Sequence, residues 1–154
     1  MNKLNHVAFI MDGNGRWGVK KRNSRNYGHL KGVETVKRIV SSSVKLKIPI
    51  VTFYVFSSEN WRRPRKEIDF LFKLIKNYFT KEIKSVVSQG IKINIIGDMK
   101  ELSIDIKKIL TKTMMRTKKN KKIIVNLAIN YGSKKEILNA AKNLKKVNLK
   151  NFEK

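Results

Sequence analysis

The feature that most constrains the fold is an alternation of short apolar segments with longer segments of helical periodicity. Four segments rich in β-branched residues, at 6–11, 50–56, 91–96 and 123–129, are apolar at most positions, as strands buried in a parallel sheet are. Between them, apolar residues recur every three or four positions, which is the period of an amphipathic helix. Because β–α alternation builds a parallel sheet covered by helices, the sequence predicts an α/β fold with an open, mostly parallel sheet and helices on both faces.

Four helices are predicted from this periodicity and from residues that begin or end helices. A proline suits the first turn of the second helix and a glycine closes it, and the last helix begins with the spacing of a capping box. The predicted helices contain Leu30, Val33, Val36 and Val40; residues 68–87, between Pro64 and Gly90; residues 102–110; and a segment from Ser133, with Glu136 three positions on, to about Lys146. Four strands make a thin sheet, so we expect residues 1–154 to form a single domain that stops before its fold is complete.

The composition excludes several classes of protein and site. The chain has no cysteine, which excludes disulfides, thiolate metal sites and a cysteine nucleophile. The longest apolar run, 48–56, is far shorter than the ~20 residues of a membrane span. Residues 1–11 lack the long apolar stretch of a secretory signal. We therefore expect a soluble, cytoplasmic protein.

The net charge of +25 leaves a nucleic-acid-binding module open as an alternative function. However, Lys, Ile and Asn together supply 61 of 154 residues, and all three have A/T-rich codons, so genome composition accounts for much of the charge. The arginines are more informative, because a guanidinium binds phosphate bidentately. Seven of the eight lie between 16 and 65, a clustering that indicates phosphate recognition unless it arose by chance: Arg16, Arg22, Arg25, Arg38, Arg62, Arg63 and Arg65.

Two polar loops follow the first two predicted strands, at 12–17 and 56–64. Ligands of open α/β sheets bind at this edge. Gly13, Gly15 and Gly18 match the GxGxxG pattern of dinucleotide sites, but the pattern needs a helix directly after the first loop. The basic stretch 20–28 does not predict one, and the second strand does not end in an acidic residue. A dinucleotide site is therefore not favoured.

The first loop instead predicts a diphosphate site with a metal ion. Its glycine amides and Arg16 suit a diphosphate, yet the carboxylate of Asp12 would repel one unless a cation lies between them. Mg²⁺ is the natural cation, because one or two carboxylates hold it together with substrate phosphates, and it also withdraws electrons from a leaving diphosphate. The alternative for Asp12 is a helix cap or a turn residue.

The second loop combines hydroxyl, carboxylate, amide and aromatic groups in residues 57–61. This mixture suits a diphosphate substrate with an apolar body, although an ordinary turn with Trp61 in the core would show the same residues. Arg25 and His29 precede the first predicted helix, whose N-terminus would favour an anion. A purely structural His29 is an equally good interpretation.

Taken together, these residues resemble the cis-prenyltransferases. The matching segments are 6–17 (HVAFIMDGNGRW), 25–29 (RNYGH), 56–61 (FSSENW) with Arg63 and, more weakly, 95–98 (IIGD) and 126–132 (NLAINYG). The resemblance runs from about His6 into the last predicted helix. It implies successive condensation of isopentenyl diphosphate onto an allylic diphosphate such as farnesyl diphosphate, with the new double bonds cis.

The resemblance also implies roles for individual residues. Asp12 would hold Mg²⁺ and assist departure of the allylic diphosphate. Asn60 would take part in removing a proton from isopentenyl diphosphate, as one member of a relay because an amide alone is a poor base. The substrate-binding residues would be Gly13, Asn14, Gly15, Arg16, Arg25 and His29 at the phosphates, Ser57, Ser58 and Glu59 around Asn60, and Trp17, Trp61 and Arg63 as walls. The growing chain would occupy an apolar tunnel beside the helix at 68–87, a stripe that fits core packing equally well.

The sequence departs from the family pattern after Ser133. Nothing there resembles the family's Arg-Thr-Gly-Gly-like segment, which carries arginines for isopentenyl diphosphate and a metal-binding glutamate. We therefore expect a domain lacking the C-terminal part of the family fold and a weakly active or inactive polypeptide. A non-catalytic partner subunit is a further alternative, although such subunits commonly lack the aspartate found here at Asp12. The expected partners are the two diphosphate substrates, a second copy in a homodimer and the membrane surface, with no specific nucleic acid.

Overall fold

The computed structural model describes residues 4–144 and Asn148 as an α/β domain with a four-stranded parallel sheet. The strand order is β1-β2-β4-β3, and every neighbouring pair is parallel, which confirms the predicted fold class. The strands are β1 (His6–Ile10), β2 (Ile50–Ser57), β3 (Ile91–Ile96) and β4 (Ile123–Tyr131). The helices are α1 (Asn14–Arg22), α2 (Arg25–Lys45), α3 (Arg65–Ser88), α4 (Ile104–Thr117) and α5 (Ser133–Asn143), with a 3₁₀ helix at Ser58–Arg62.

The core lies between one face of the sheet and helices α2, α3 and α4. Val51 and Phe53 of β2 are buried there, as are Leu110 of α4 and the Phe79 ring of α3. On the opposite face the cover is partial: Thr52 is buried, whereas Ile10 at the end of β1 is 83% exposed. The carboxyl ends of β1 and β2 are neighbours in the sheet, so the two polar loops that follow them are adjacent.

Helix α1 was not predicted, and the expectation of no helix directly after the first loop is wrong. The helix opens at Asn14, after Gly13 in the left-handed conformation (φ 86°), and it packs closely on α2. A Cβ on Gly28 of α2 would collide with the main-chain oxygen of Asn14. The contact is between backbones rather than apolar side chains, so it leaves no hydrophobic periodicity in the sequence. One consequence is that Arg25 and His29 lie within the first turns of α2, not before it.

Helix α5 differs from its prediction at both ends. Gly132 is the N-cap, and no side chain caps the helix. Glu136 instead accepts a hydrogen bond from the hydroxyl of Tyr131 at 2.6 Å, so the predicted capping box is absent. The helix ends at Asn143, and Lys146 falls outside the described residues. No residue of α5 is buried, and its Ile137 and Leu138 are more than half exposed.

Candidate functional site

A cavity of about 570 Å³ runs between α2, α3 and the sheet, with polar residues at the loop end and apolar residues beyond them. Ten of the predicted site residues line the polar end. They are Asp12, Gly13, Asn14, Gly15, Arg16, Arg25, His29, Ser57, Asn60 and Arg63. Four other predicted site residues, Trp17, Ser58, Glu59 and Trp61, are not among its lining residues.

Asp12 presents an exposed, ionised carboxylate at the mouth of the cavity. Its Oδ1 accepts the Gly13 N–H at 2.6 Å, and its Oδ2 pairs with Arg16 Nη2 at 2.9 Å. The Gly13 N–H, and then the charge of Arg16, hold the pKa of the Asp12 carboxyl below its usual range. Asp12 is not the N-cap of α1, because that position belongs to Gly13. Its side chain is 75% exposed, so the carboxylate can meet a ligand.

The amides expected in the first loop belong to the N-terminal turn of α1. The first N–H groups of a helix have no partner within it and form a natural anion site, strengthened by the helix dipole. Here Gly13, Asn14 and Gly15 line the cavity at this turn. Asn14 is fixed by a hydrogen bond from its Nδ2 to the Met11 oxygen at 3.3 Å. The turn can therefore donate main-chain hydrogen bonds to a phosphate.

Glu67, a residue that the sequence analysis missed, binds the basic side chains of the site through its carboxylate. Its buried carboxylate accepts hydrogen bonds from Arg25 Nε (2.8 Å) and Nη2 (3.2 Å). It also accepts from Arg63 Nη1 (3.1 Å) and lies 3.1 Å from His29 Nε2. One carboxylate thus orients three of the predicted substrate-binding residues. A signal was present: the period of the α3 stripe places position 67 on the buried face, where a carboxylate needs cationic partners.

The electrostatics of this cluster keep Glu67 charged and disfavour a proton on His29. Burial alone would raise the pKa of Glu67, but the hydrogen bonds from Arg25 and His29 outweigh it, and the pKa lies below its ordinary value. Burial lowers the pKa of His29 against the opposing effect of Glu67. A neutral His29 must carry its proton on Nε2 to donate to a carboxylate, which leaves Nδ1 as an acceptor. The positive charge of the Glu67 cluster thus comes from Arg25 and Arg63.

The second loop is ordered by its own main chain and by the core. The Asn60 Oδ1 accepts the Ser57 N–H at 3.2 Å, which fixes the amide at the cavity wall. Trp61 packs against the rings of Phe56 and Phe72, with centroids 5.2 and 5.7 Å away. Its Nε1 donates to Oδ1 of Asn130 at 2.8 Å. The packing of Trp61 therefore follows the core alternative, while its predicted role as a substrate wall stays a prediction.

The remaining predicted wall residue of α1 lies on the surface. Trp17 is 43% exposed and stacks on Tyr27 of α2 with centroids 5.8 Å apart and planes within 9°. This stack joins α1 to α2 beside the cavity rather than inside it. Its role toward a substrate also stays a prediction.

The donor set at Asp12 fits Mg²⁺ only when a phosphate completes it. Among residues 4–144 and Asn148, no three His, Asp or Glu side chains are grouped so that they could hold a metal ion. A single exposed carboxylate beside an anion-binding helix turn matches the usual arrangement of Mg²⁺, which takes one or two carboxylates and the substrate's phosphates. Asp12 is the residue that would hold the ion.

The far part of the cavity is suited to a hydrocarbon. The lining there is dominated by aliphatic and aromatic side chains from α2, α3 and the sheet: Val33, Val36, Val40, Leu71, Leu74, Ile75, Tyr78, Phe79, Val86, Ile91, Ile93, Val125 and Leu127. A molecule with an anionic head and an apolar tail would match both ends at once. In the described part of the chain, no helix is long and apolar enough to cross a membrane.

Known proteins share both the sequence and the fold. Isoprenyl transferases of Prochlorococcus marinus and Rickettsia felis are 42% and 39% identical over 139 and 140 residues. The matches cover 90% and 91% of this chain but 51% and 60% of those proteins, so the chain spans little more than half their length.

Two solved structures superpose on most of the chain. A lavandulyl diphosphate synthase from Lavandula x intermedia, solved with dimethylallyl diphosphate, has a TM-score of 0.90 at 28% identity, covering 97% of this chain and 69% of its own. A probable undecaprenyl diphosphate synthase from Campylobacter jejuni has a TM-score of 0.79 at 31% identity, covering 99% and 68%. The model of the undecaprenyl diphosphate synthase family matches residues 10–154. The chain therefore belongs to the undecaprenyl diphosphate synthase family of prenyltransferases.

Proposed function

We propose that this chain binds an allylic diphosphate such as farnesyl diphosphate and elongates it with isopentenyl diphosphate to give a cis-polyprenyl diphosphate. The observation that carries the proposal is the continuity of one cavity from Asp12, Arg25 and Arg63 to the apolar side chains of α2 and α3. Because neither half alone would bind an amphiphile tightly, the joined halves select a diphosphate that carries a hydrocarbon chain. The names of the relatives support the same reaction class.

In the proposed reaction, the chain's own residues bind and orient the substrates. Arg25, Arg63 and the N-terminal amides of α1 hold the allylic diphosphate, and Arg16 is drawn from Asp12 toward the anion. Mg²⁺, held by Asp12 and the diphosphate, would neutralise the charge that develops on the leaving group. The fixed amide of Asn60 orients isopentenyl diphosphate and a water for loss of the proton, since an amide alone is too weak a base.

The proposal extends to partners and location. We place the protein in the cytoplasm at the membrane surface, because the product is a lipid and a net charge of +25 attracts anionic headgroups. We also propose a homodimer, on the basis of the resemblance alone. A partner subunit without catalysis is disfavoured by the complete Asp12 loop. Specific nucleic-acid binding is disfavoured because Arg16, Arg25 and Arg63 line a cavity with an apolar far end rather than an open surface.

Condensation can be assayed in two forms of the protein. We expect the chain itself to give little long-chain product with farnesyl diphosphate, isopentenyl diphosphate and Mg²⁺, because its described residues supply cations for one diphosphate. A chimaera of residues 1–132 followed by the matching remainder of the Prochlorococcus marinus relative is expected to elongate the substrate. Asn60→Ala in the chimaera should lower turnover about a hundredfold, as loss of a proton-transfer group does.

The matched control for this assay is Asn77→Ala, on the exposed face of α3, which is expected to leave turnover unchanged. A folded chimaera that makes no product would refute the proposed function. Robust elongation by the chain itself would show that the expectation of weak activity is wrong.

A further inference from the structure

An ion pair joins α2 to α3 along the wall of the cavity, far from the cationic end. Lys37 Nζ donates to Glu82 Oε1 at 2.8 Å, and the same ammonium lies 5.2 Å from the centroid of the Tyr78 ring. All three side chains line the cavity. Lys37 and Glu82 are 44% and 38% exposed, so the pair marks the place where the apolar cavity meets solvent between the two helices.

The position of the pair can be measured along the helices. Lys37 follows Arg25 by 12 residues in α2, and Glu82 follows Glu67 by 15 residues in α3. At ~1.5 Å per residue these intervals are about 18 and about 22 Å. Both helices begin at the cationic end, so the pair lies roughly 20 Å along the cavity from the Arg25–Glu67 cluster.

Polar side chains become more frequent in the cavity wall at this point. Before the pair, the lining residues of α2 and α3 are mostly apolar, whereas beyond it Ser41, Ser85 and Gln89 line the cavity beside Val40 and Val86. A hydrocarbon tail that reaches the pair must desolvate two charges or push the helices apart, and both cost free energy. Because both side chains are partly exposed, the ion pair contributes little to the stability of the helix packing. A long tail can therefore break the pair, but doing so costs free energy that the binding of a shorter tail does not require.

We propose that Lys37 and Glu82, held against Tyr78, set the length of prenyl tail that the cavity accommodates. The inference rests on the proposed function, because it assumes that the occupant is a prenyl diphosphate. Tails that end before the pair gain affinity with each added isoprenoid unit. Tails that reach beyond it gain none, so elongation slows at that length.

The test is the affinity of this chain for allylic diphosphates of increasing length, from geranyl through farnesyl and geranylgeranyl to longer polyprenyl diphosphates. In the native chain, affinity should rise with length and then level off. In Lys37→Met with Glu82→Met, affinity for the longest tails should increase by roughly tenfold, because more hydrocarbon is buried, while affinity for geranyl diphosphate stays unchanged. The charge swap Lys37→Glu with Glu82→Lys should restore the native profile.

A matched control removes another half-exposed ion pair that links two helices. Lys76 Nζ lies 2.7 Å from Asp105 Oδ2 between α3 and α4, and neither residue lines the cavity. Lys76→Met with Asp105→Asn should leave the profile unchanged. A Lys37/Glu82 double variant that matches the native profile, or that shifts all lengths equally, would overturn the inference while leaving the proposed function intact. A native chain that binds no allylic diphosphate of any length would overturn both.

Discussion

Replacing Asp12 by alanine is expected to strengthen the binding of farnesyl diphosphate when Mg²⁺ is absent and to weaken it when Mg²⁺ is present. Without the metal, the exposed carboxylate repels the diphosphate and occupies Arg16 through the 2.9 Å pair. Asp12→Ala should therefore bind the ligand more tightly than the native chain, by roughly tenfold for two charges at close range near a surface. With Mg²⁺, we expect the native carboxylate to become a ligand of the ion. The variant should then lose the metal-dependent gain in affinity.

The measurement is calorimetric titration of farnesyl diphosphate into each protein, with Mg²⁺ and with EDTA. Asp12→Asn is the matched control for size, since it removes the charge but keeps an acceptor for the Gly13 N–H. It should follow Asp12→Ala in the direction of both effects. An undiminished Mg²⁺ effect in Asp12→Ala would remove Asp12 from the metal site.

The second large effect is expected at Glu67, where Glu67→Leu should lower the free energy of unfolding by about 2 kcal/mol. Removing one partner of a buried ion pair costs ~3–5 kcal/mol, and the cost is smaller here because Arg25 is half exposed and can turn to solvent. The buried His29 would also lose the acceptor of its Nε2 proton. For a domain of this size the midpoint of thermal unfolding should fall by roughly 4–8 °C.

Urea denaturation of the native chain and its variants measures this effect. Glu67→Gln keeps the volume and an acceptor, so it should cost clearly less than leucine. Glu34→Gln removes an exposed pair with Lys31 on the surface of α2 and should change stability by less than ~0.5 kcal/mol. Native stability in Glu67→Leu would contradict the view that this carboxylate organises the site.

The sheet could be predicted because parallel strands are buried as continuous apolar runs. Each of the four predicted runs coincides with an observed strand to within two residues. The order β1-β2-β4-β3 was not predicted, because the sequence does not specify which strand lies between two others. Helix α1 was missed for a different reason: its contact with α2 depends on Gly18 and Gly28, which contribute nothing to a hydrophobic pattern.

The candidate site was predicted where its residues share a loop and missed where they meet through the fold. Asp12 and Asn60 each follow a predicted parallel strand, so their position at the same edge of the sheet could be inferred from the sequence. Glu67 meets Arg25 across 42 positions and His29 across 38, contacts that depend on how α2 packs against α3. The same packing produces the Lys37–Glu82 pair, separated by 45 positions.

The central claim is that one cavity binds the diphosphate and the hydrocarbon tail of the same molecule. The most direct measurement is a parallel titration of the chain, in Mg²⁺, with farnesyl diphosphate, inorganic pyrophosphate and farnesol. We predict that farnesyl diphosphate binds at least roughly tenfold more tightly than either fragment, since the tail buries apolar area that pyrophosphate lacks. Farnesyl diphosphate that binds no more tightly than pyrophosphate would show that the tail lies outside the cavity and would contradict the claim.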